Sequence, residues 1–410
     1  MSANHKEEIV RREFLEKMGL GALGVGAAGS VLAADAKLDA KPEEKKVWKQ
    51  TSDRKIRIGV VGGGFGCGFQ WHNHPNCVVE AVSDLQAAKC DRLKKVYGCE
   101  KSYESLEKLI LDPKIDAVAV FTDAPSHGRH CVDVMNHGKH CVCAVPAAWT
   151  LEDIQKLKET KEKTGLKYMM AESSSYHADL YNMMLIYQHG GFGKLIYSEG
   201  EYYHYNVDTA WGYKEWRNAL PPMLYPTHST AYYIGVTGGR YTAVSCLGRR
   251  GKAERYSTNS YKNPFSDETA LFTTSEGGMS RINVAWGIQG AHGEVGRVFG
   301  ELGSMVGNVF KAGKGIQAAY EGIGDRKTTT FTDHRPLLPP TMTGGGHGGS
   351  AGQITNEFIM SIIEDREPLV DVYEAIAMTA PGIVAHQSAL KNGEQLKIPQ
   401  FDRPKAAKKA

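Results

Sequence analysis

Between two apolar stretches, Ile56, Ile58 and Val60 on one side and Val78 to Val82 on the other, the chain runs Gly62-Gly63-Gly64-Phe65-Gly66-Cys67-Gly68, and the second stretch ends at Ser83-Asp84. This order of strand, glycine-rich turn, short helix, strand and acid constrains the fold more than any other feature. So tight a turn needs residues without a Cβ, and a backbone that approaches a pyrophosphate needs the same. A helix start supplies positive polarity, and a carboxylate roughly twenty residues on reaches ribose hydroxyls. Gly62, Gly64 and Asp84 meet three of these demands. Cys67 stands where a third small residue is usual, and Trp71-His72-Asn73-His74-Pro75 leaves room for only a short helix. The loop, with Phe65 and Gly66 inside it, reads as a dinucleotide cradle. NAD is the expected cofactor, because the Asp84 charge repels a 2′-phosphate and Leu85 offers no arginine to attract one.

The alternation continues downstream. Ser102 to Leu111 and Gly128 to His137 are expected helices, Ala117 to Thr122 and Cys141 to Val145 expected strands. Thr150 with Asp153 caps a helix whose Leu151, Ile154 and Leu157 share a face, and Tyr168 to Glu172 closes the sheet. Short apolar strands alternating with helices imply a parallel sheet. After about residue 175 the strands lengthen: Leu195 to His204, Tyr241 to Leu247, Glu268 to Ser275 and Ser280 to Ile288, the last two joined by a Gly277-Gly278 hairpin turn. Ser229 to Val236, Ala351 to Glu364 and Val372 to His386 are expected helices. The fold class is therefore α/β: an N-terminal Rossmann doubly wound parallel sheet over 54–175, then a second α+β domain with a large mixed or antiparallel sheet over 176–400. A length of 410 residues fits two domains. A net charge of +3, with basic residues dispersed apart from Lys405, Lys408 and Lys409 in the tail 401–410, excludes a nucleic-acid footprint. A small molecule is the expected partner.

Residues 1–36 read as a targeting segment and 37–53 as a linker. Arg11-Arg12-Glu13-Phe14-Leu15 precedes a Gly/Ala-rich apolar stretch from Met18 to Ala34, which resembles a twin-arginine signal and implies a periplasmic or secreted protein. That stretch falls short of the roughly 20 strongly apolar residues that span a bilayer, so no membrane span is expected in the mature form. Seven of eight cysteines precede residue 150 without a Cys-x-x-Cys pair, and they read as buried apolar fillers. His127, His130, His137 and His140 mix helix and strand positions, and no metal is expected there.

The Rossmann opening, the segment Thr122 to His127, Gly138-Lys139-His140 and the turn at Pro146 together resemble the glucose-fructose oxidoreductase and inositol dehydrogenase (Gfo/Idh/MocA) family over about residues 54–400. The resemblance implies NAD on the N-terminal sheet, with Thr122, His127 and Pro146 beside it, a carbohydrate substrate held over it by the second domain, and assembly as a homo-oligomer. The Glu-Lys-Pro usual after the fourth-unit strand is here Ala144-Val145-Pro146, so the lysine is absent. Val145-Pro146-Ala147-Ala148, Glu172-Ser173-Ser174-Ser175-Tyr176, Leu224-Tyr225-Pro226-Thr227-His228, His347-Gly348-Gly349 and Val372-Tyr373-Glu374-Ala375 are most similar to the NAD-dependent glycosidase branch, whose known activity is on α-N-acetylgalactosaminides.

Such a reaction oxidises a ring hydroxyl, removes a neighbouring C–H proton, expels the aglycone, adds water and returns the hydride; it needs two bases and an acid. His228, Tyr225, Glu172 and Tyr176 are the candidate catalytic residues. An imidazole with an ordinary pKa near 6.5 makes His228 the expected base. Two other readings stay open: a sugar or cyclitol dehydrogenase with net NADH formation, and a non-catalytic relative that binds nucleotide and sugar.

Overall fold

The computed structural model describes residues 47–212, 216–291, 293–313 and 328–404. The targeting segment, most of the linker and the end of the basic tail lie outside the described residues. Strands β1 (Ile56–Val61), β2 (Cys77–Ser83), β3 (Ser102–Tyr103), β4 (Ala117–Val120), β5 (His140–Cys143) and β6 (Tyr168–Met170) form one sheet in the order β3-β2-β1-β4-β5-β6, and every pair in it is parallel. Helices α1 (Ala87–Tyr97), α2 (Leu106–Leu109), α3 (His127–Asn136) and α4 (Leu151–Thr164) connect these strands. Thr150 caps α4 by accepting from the Asp153 N–H, as its spacing predicts.

One local expectation fails and one helix goes unread, each for a physical reason. The helix expected over Ser102 to Leu111 shrinks to the single turn α2, because Ser102 and Tyr103 extend the sheet beside β2 and the Ser105 cap starts the helix only at Leu106. Helix α1 escapes the sequence pattern because it buries only Cys90, Leu93 and Tyr97 and exposes a charged face.

Helix α5 (Ala178–Gln188) leads into the second sheet: β7 (Leu195–Tyr203), β8 (Tyr241–Arg250), β9 (Phe265–Thr274), β10 (Met279–Ala285), β11 (Gly293–Gly300), β12 (Gly303–Val306), β13 (Val309–Ala312), β14 (Thr328–Thr330) and β15 (Leu396–Lys397). Their order is β14-β13-β12-β11-β7-β10-β9-β8-β15. β10 runs parallel to β7 and antiparallel to β9, so the sheet is mixed. Helix α6 (Thr227–Thr237) lies on its inner face. Gly200 of β7 and Gly296 of β11 are partners in register. A Cβ on Gly200 would stand 2.0 Å from the Ser229 carbonyl oxygen, and one on Gly296 2.0 Å from the Tyr232 ring. This glycine pair lets α6 press against the sheet, which sets the height of everything at its N-terminal end.

Helices α7 (Ser350–Ile363) and α8 (Val372–Leu390) complete the chain. α8 is apolar nearly all round and sits between the sheets, so both are fastened to it. The Met170 N–H donates to Val370 O (3.0 Å) just before it, and the Ala147 N–H donates to Thr379 Oγ1 (3.3 Å). Thr230 Oγ1 of α6 donates to Met378 O (2.9 Å). The cysteines are all free thiols, and all but Cys67 are buried.

Candidate active site

A cleft of about 840 Å³ opens between the carboxyl ends of β1 and β4 and the inner face of the second sheet. Ligands of open parallel sheets bind at such an edge. The glycine-rich loop forms one end. Gly62 has φ +102°, and a Cβ there would stand 2.1 Å from the Phe121 carbonyl oxygen; a Cβ on Gly63 would stand 2.2 Å from that of Lys89. The loop is thus pinched between the end of β4 and α1, and only glycine passes. The Asp84 carboxylate locks it from behind, accepting the N–H groups of Gly63 (2.7 Å) and Gln86 (2.8 Å), while the Tyr97 hydroxyl donates to Gly66 O.

One expectation is corrected here: the short helix after the loop is only a pair of 3₁₀ turns, Phe65–Gly68 and Trp71–Asn73. No α-helix N-terminus faces the cleft at this point, and the positive charge comes instead from Lys89 and Arg92 of α1, which line it with Gly63, Gly64 and Phe65. The wall continues through Thr122, His127, Ala144 and Val145. His127 is buried and pins two turns together, with Nδ1 2.8 Å from Pro146 O and Nε2 3.2 Å from Thr122 O. Burial lowers its pKa, so one of these contacts carries the single N–H of a neutral ring. Pro146 therefore acts through His127. The volume, the bare backbone and the two cations fit a dinucleotide.

The other end of the cleft gathers titratable side chains. His228, at the start of α6, points Nδ1 at Glu172 Oε1 (2.6 Å), with Glu294 Oε2 at 3.6 Å. Burial alone pushes this ring down, but the two carboxylates outweigh it and carry the pKa up to about 9. The ordinary imidazole pKa expected of His228 is thereby corrected: the ring rests as an imidazolium, with Nδ1 held by Glu172 and the side chain lining the cleft. Glu172 is fully buried; its Oε1 also accepts the Ser174 N–H (3.0 Å), and it does not line the cleft. It positions His228. Tyr225 lines the cleft, 5.6 Å from the His228 ring centroid, and burial raises its phenol pKa, so it is a donor rather than a base.

Tyr176 is not brought to the site. It is buried with its hydroxyl 3.6 Å from Met169 Sδ, away from the cleft lining. The four histidines of the 127–140 segment are not gathered either: His130 pairs with Thr122 Oγ1, His137 with Asp133 O, and His140 accepts the Lys167 N–H. The ligand atoms of Glu172, His228 and Glu294 do lie within 4.8 Å of one another. Their shortest contact, at 2.6 Å, is that of a charge-assisted N–H···O bond.

Several lining residues escaped the sequence reading. Tyr202 packs edge-on against His228 at 4.6 Å, and it was legible, since alternation along β7 places Ser198, Gly200 and Tyr202 on the inner face. Arg217 lies over the Trp216 ring (4.6 Å) and the Tyr225 ring (5.8 Å). Glu294 sits on β11, whose sequence Gly-Glu-Val-Gly-Arg-Val-Phe-Gly breaks strand propensity with three glycines. His347 did not escape: its glycine loop is singled out in the sequence, and its ring reaches across the cleft to Phe65 at 5.3 Å.

Fold and cleft together define an NAD-binding oxidoreductase architecture, and the comparisons agree. Residues 56–172 match the oxidoreductase family (Gfo/Idh/MocA), NAD-binding Rossmann fold, and residues 338–408 match the glycosyl hydrolase 109 C-terminal domain. The chain joins a Gfo/Idh/MocA NAD-binding domain to a glycosyl hydrolase 109 C-terminal domain. It is 28% identical to glycosyl hydrolase family 109 protein 2 of Akkermansia muciniphila, over 96% of each chain, and 23% identical to the family 109 protein of Streptomyces coelicolor, over 94% of this chain and 92% of that one. Among solved structures, levoglucosan dehydrogenase in complex with NADH and L-sorbose superposes with a TM-score of 0.71 at 16% identity, covering 85% of this chain and all of that one. The myo-inositol dehydrogenase of Lactobacillus casei, in complex with NAD(H) and myo-inositol, gives 0.64 at 17% identity, covering 85% and 98%. At these identities the two structures speak for the fold alone.

Proposed function

We propose that this protein is an NAD-dependent glycosidase that oxidises a ring hydroxyl of its substrate, cleaves the glycosidic bond by elimination and restores the hydroxyl, with no net oxidation. One observation carries the reading: a cofactor cradle and a histidine held between two carboxylates face each other across a single cleft. The names of its family 109 relatives support it. When bound, NAD supplies a hydride acceptor that can hand the hydride back. Gly63, Gly64, Lys89 and Arg92 would hold its phosphates, and Thr122 and Val145 would flank its other end.

The protein's own task is to move protons. With Val145 at the position of the family lysine, the hydroxyl proton passes to His228 Nε2, while Glu172 on Nδ1 fixes the ring and compensates its charge. To act as base, His228 first releases its resting proton to solvent, a loss that a cationic ligand in the cleft would favour by lowering the ring's pKa. Tyr225, protonated through the neutral range, donates to the leaving oxygen. Tyr202, Trp216 and Tyr225 give the sugar apolar faces to lie against.

Incubation with nitrophenyl glycosides, α-N-acetylgalactosaminides first, tests the reading: nitrophenol should appear without accumulation of NADH and without added NAD. Stoichiometric NADH without nitrophenol would mean a dehydrogenase, and neither product would mean a binding protein.

Two further properties belong to the same proposal. The outer face of the second sheet, where Tyr197, Leu271 and Met279 surround a Glu199, Glu201, Arg281 and Arg297 ion-pair ladder, suits association of two copies, to be checked by solution mass. Export through the twin-arginine pathway rests on Arg11 and Arg12; changing both to Lys should leave the precursor inside the cell.

A further inference from the structure

Resting on that reading of the reaction, we propose that Glu294 is a catalytic base, the group that takes the ring C–H proton and later returns it. Among the described residues that line the cleft, Glu294 is the one carboxylate. Its partner in register on β7 is Tyr202, and both project from the inner face of the sheet, so the carboxylate enters the cleft beside the ring that packs on His228. Gly293 before it, paired with Tyr203 of β7, lines the cleft as well.

The carboxylate is held rather than free. Ser174 Oγ donates to Oε2 at 2.6 Å, Ser173 Oγ lies 3.0 and 3.1 Å from the two oxygens, and the His228 and His177 rings approach Oε2 at 3.6 Å each. Burial pushes Glu294 up, but His228, His177 and the two serine hydroxyls together bring its pKa below the ordinary carboxylate value, so it stands ionised and ready to accept. The surrounding groups do not offer the same. Glu172 is walled off from the cleft, His228 is occupied with the hydroxyl proton, and the Tyr225 phenol carries the proton meant for the leaving oxygen.

The bonds fix what this base must do. For an aglycone on C1 to leave by elimination it must stand β to a carbonyl, so the ketone is at C3 and the acidic C–H at C2. The C2–H bond breaks and its proton goes to a Glu294 oxygen. The electron pair becomes the C1–C2 double bond as the C1–O bond breaks, and the aglycone oxygen takes a proton from Tyr225. In the return direction water adds its oxygen to C1 and gives one proton back to Tyr225, while Glu294 returns its proton to C2. Atoms and charge balance over the cycle. Carboxylates perform such abstractions next to a carbonyl when positioned and shielded from water.

The test separates C–H abstraction from hydride transfer. The NAD-loaded full chain is given a 1,5-anhydro sugar, which can be oxidised at C3 but has no aglycone to lose, in heavy water. NADH absorbance follows the oxidation, and NMR follows deuterium entering C2. Wild type should show both. Glu294→Gln should form NADH within about tenfold of the wild-type rate and lose C2 exchange by roughly 10²-fold or more, the scale for removing a general base. Glu294→Asp should recover part of the exchange, which an effect on folding would not do. Exchange near the wild-type rate in Glu294→Gln overturns the assignment. So does loss of exchange in His347→Gln while Glu294→Gln keeps it, or loss of NADH formation in Glu294→Gln with NAD still bound. If wild type forms no NADH with any anhydro sugar and cleaves no glycoside, the reading of the reaction itself is what fails.

Discussion

At the nucleotide end of the cleft a ligand meets backbone: Gly63 and Gly64 line it, Gly62 and Gly63 are pinched so tightly that a Cβ cannot pass, and Asp84 behind them spends one oxygen on the Gly63 N–H of the loop and the other on the Gln86 N–H before α1. At the other end a ligand meets side chains drawn from elements far apart in the chain: His228 from α6, Glu294 from β11, Tyr202 from β7 and His347 from the loop before α7. The first end is set by covalent neighbours and sterics, the second by how closely α6 lies on the sheet. They should break differently. Changes at the first should cost cofactor binding and stability together, and changes at the second should cost turnover with the cofactor still in place.

The largest effect is expected at Gly62. Alanine there must adopt φ near +102° with its Cβ 2.1 Å from the Phe121 carbonyl oxygen. Strain and overpacking together should cost roughly 3 kcal/mol or more, with NAD affinity falling in step. Thermal unfolding with and without NAD measures both. Normal stability with lost binding would show that the loop is set by the ligand rather than by the fold.

Next comes His228→Ala, the counterpart at the other end. Turnover should fall by roughly 10²-fold or more, with NAD binding unchanged, because the cofactor contacts lie across the cleft. Loss of NAD along with activity would mean that the two ends are one cooperative unit.

This contrast also explains how much of the molecule its sequence discloses. Gly62, Asp84, the β1 alternation and the Thr150 cap are local patterns, and each is where its pattern places it. Tyr225 and His228 lie in one short run, and the cleft receives both. Glu294 has nothing local to mark it: its partners Ser173, Ser174, His177 and His228 lie between 66 and 121 residues away, and a strand with three glycines hides its own period. The same Gly296 that masks β11 is what admits Tyr232 and α6. Tyr176 misleads in the opposite way, because adjacency to Glu172 says nothing of which side of a 3₁₀ turn its ring takes.

A smaller effect tests the charge arrangement behind His228. Its proton is bound more tightly in the folded state, with a pKa of about 9 against about 6.5 unfolded. The stabilisation is therefore complete below about pH 6.5 and is lost as pH rises through about 9; at 1.36 kcal/mol per unit it amounts to roughly 3 kcal/mol at most. Glu172→Gln removes the nearer carboxylate charge and should lower the His228 pKa, so the fall in stability of the NAD-free protein between pH 7 and 9 should flatten. Turnover should drop by about tenfold and its acid limb move to lower pH, because the ring then gives up its proton at a lower pH. An unchanged pH profile in Glu172→Gln would assign the raised pKa to Glu294 instead.

The smallest effect returns to the nucleotide end and asks how far backbone alone sets cofactor choice. Asp84 holds the loop through Gly63 and is itself fixed by the Gln86 N–H, yet it remains partly exposed at the end of β2, where an adenosine ribose is expected, and its charge opposes a 2′-phosphate. NAD should therefore bind more tightly than NADP. Asp84→Asn keeps an acceptor for one N–H but removes the charge, so it should narrow the preference by about tenfold, or about 1.4 kcal/mol, with little loss of NAD affinity. Asp84→Ala should lose the preference and also loosen the loop, weakening both nucleotides. Titration of each variant with NAD and NADP distinguishes the two roles: an Asn variant that discriminates like wild type would leave Asp84 as a latch for the glycine loop and shift the rejection of NADP to the shape of the loop itself.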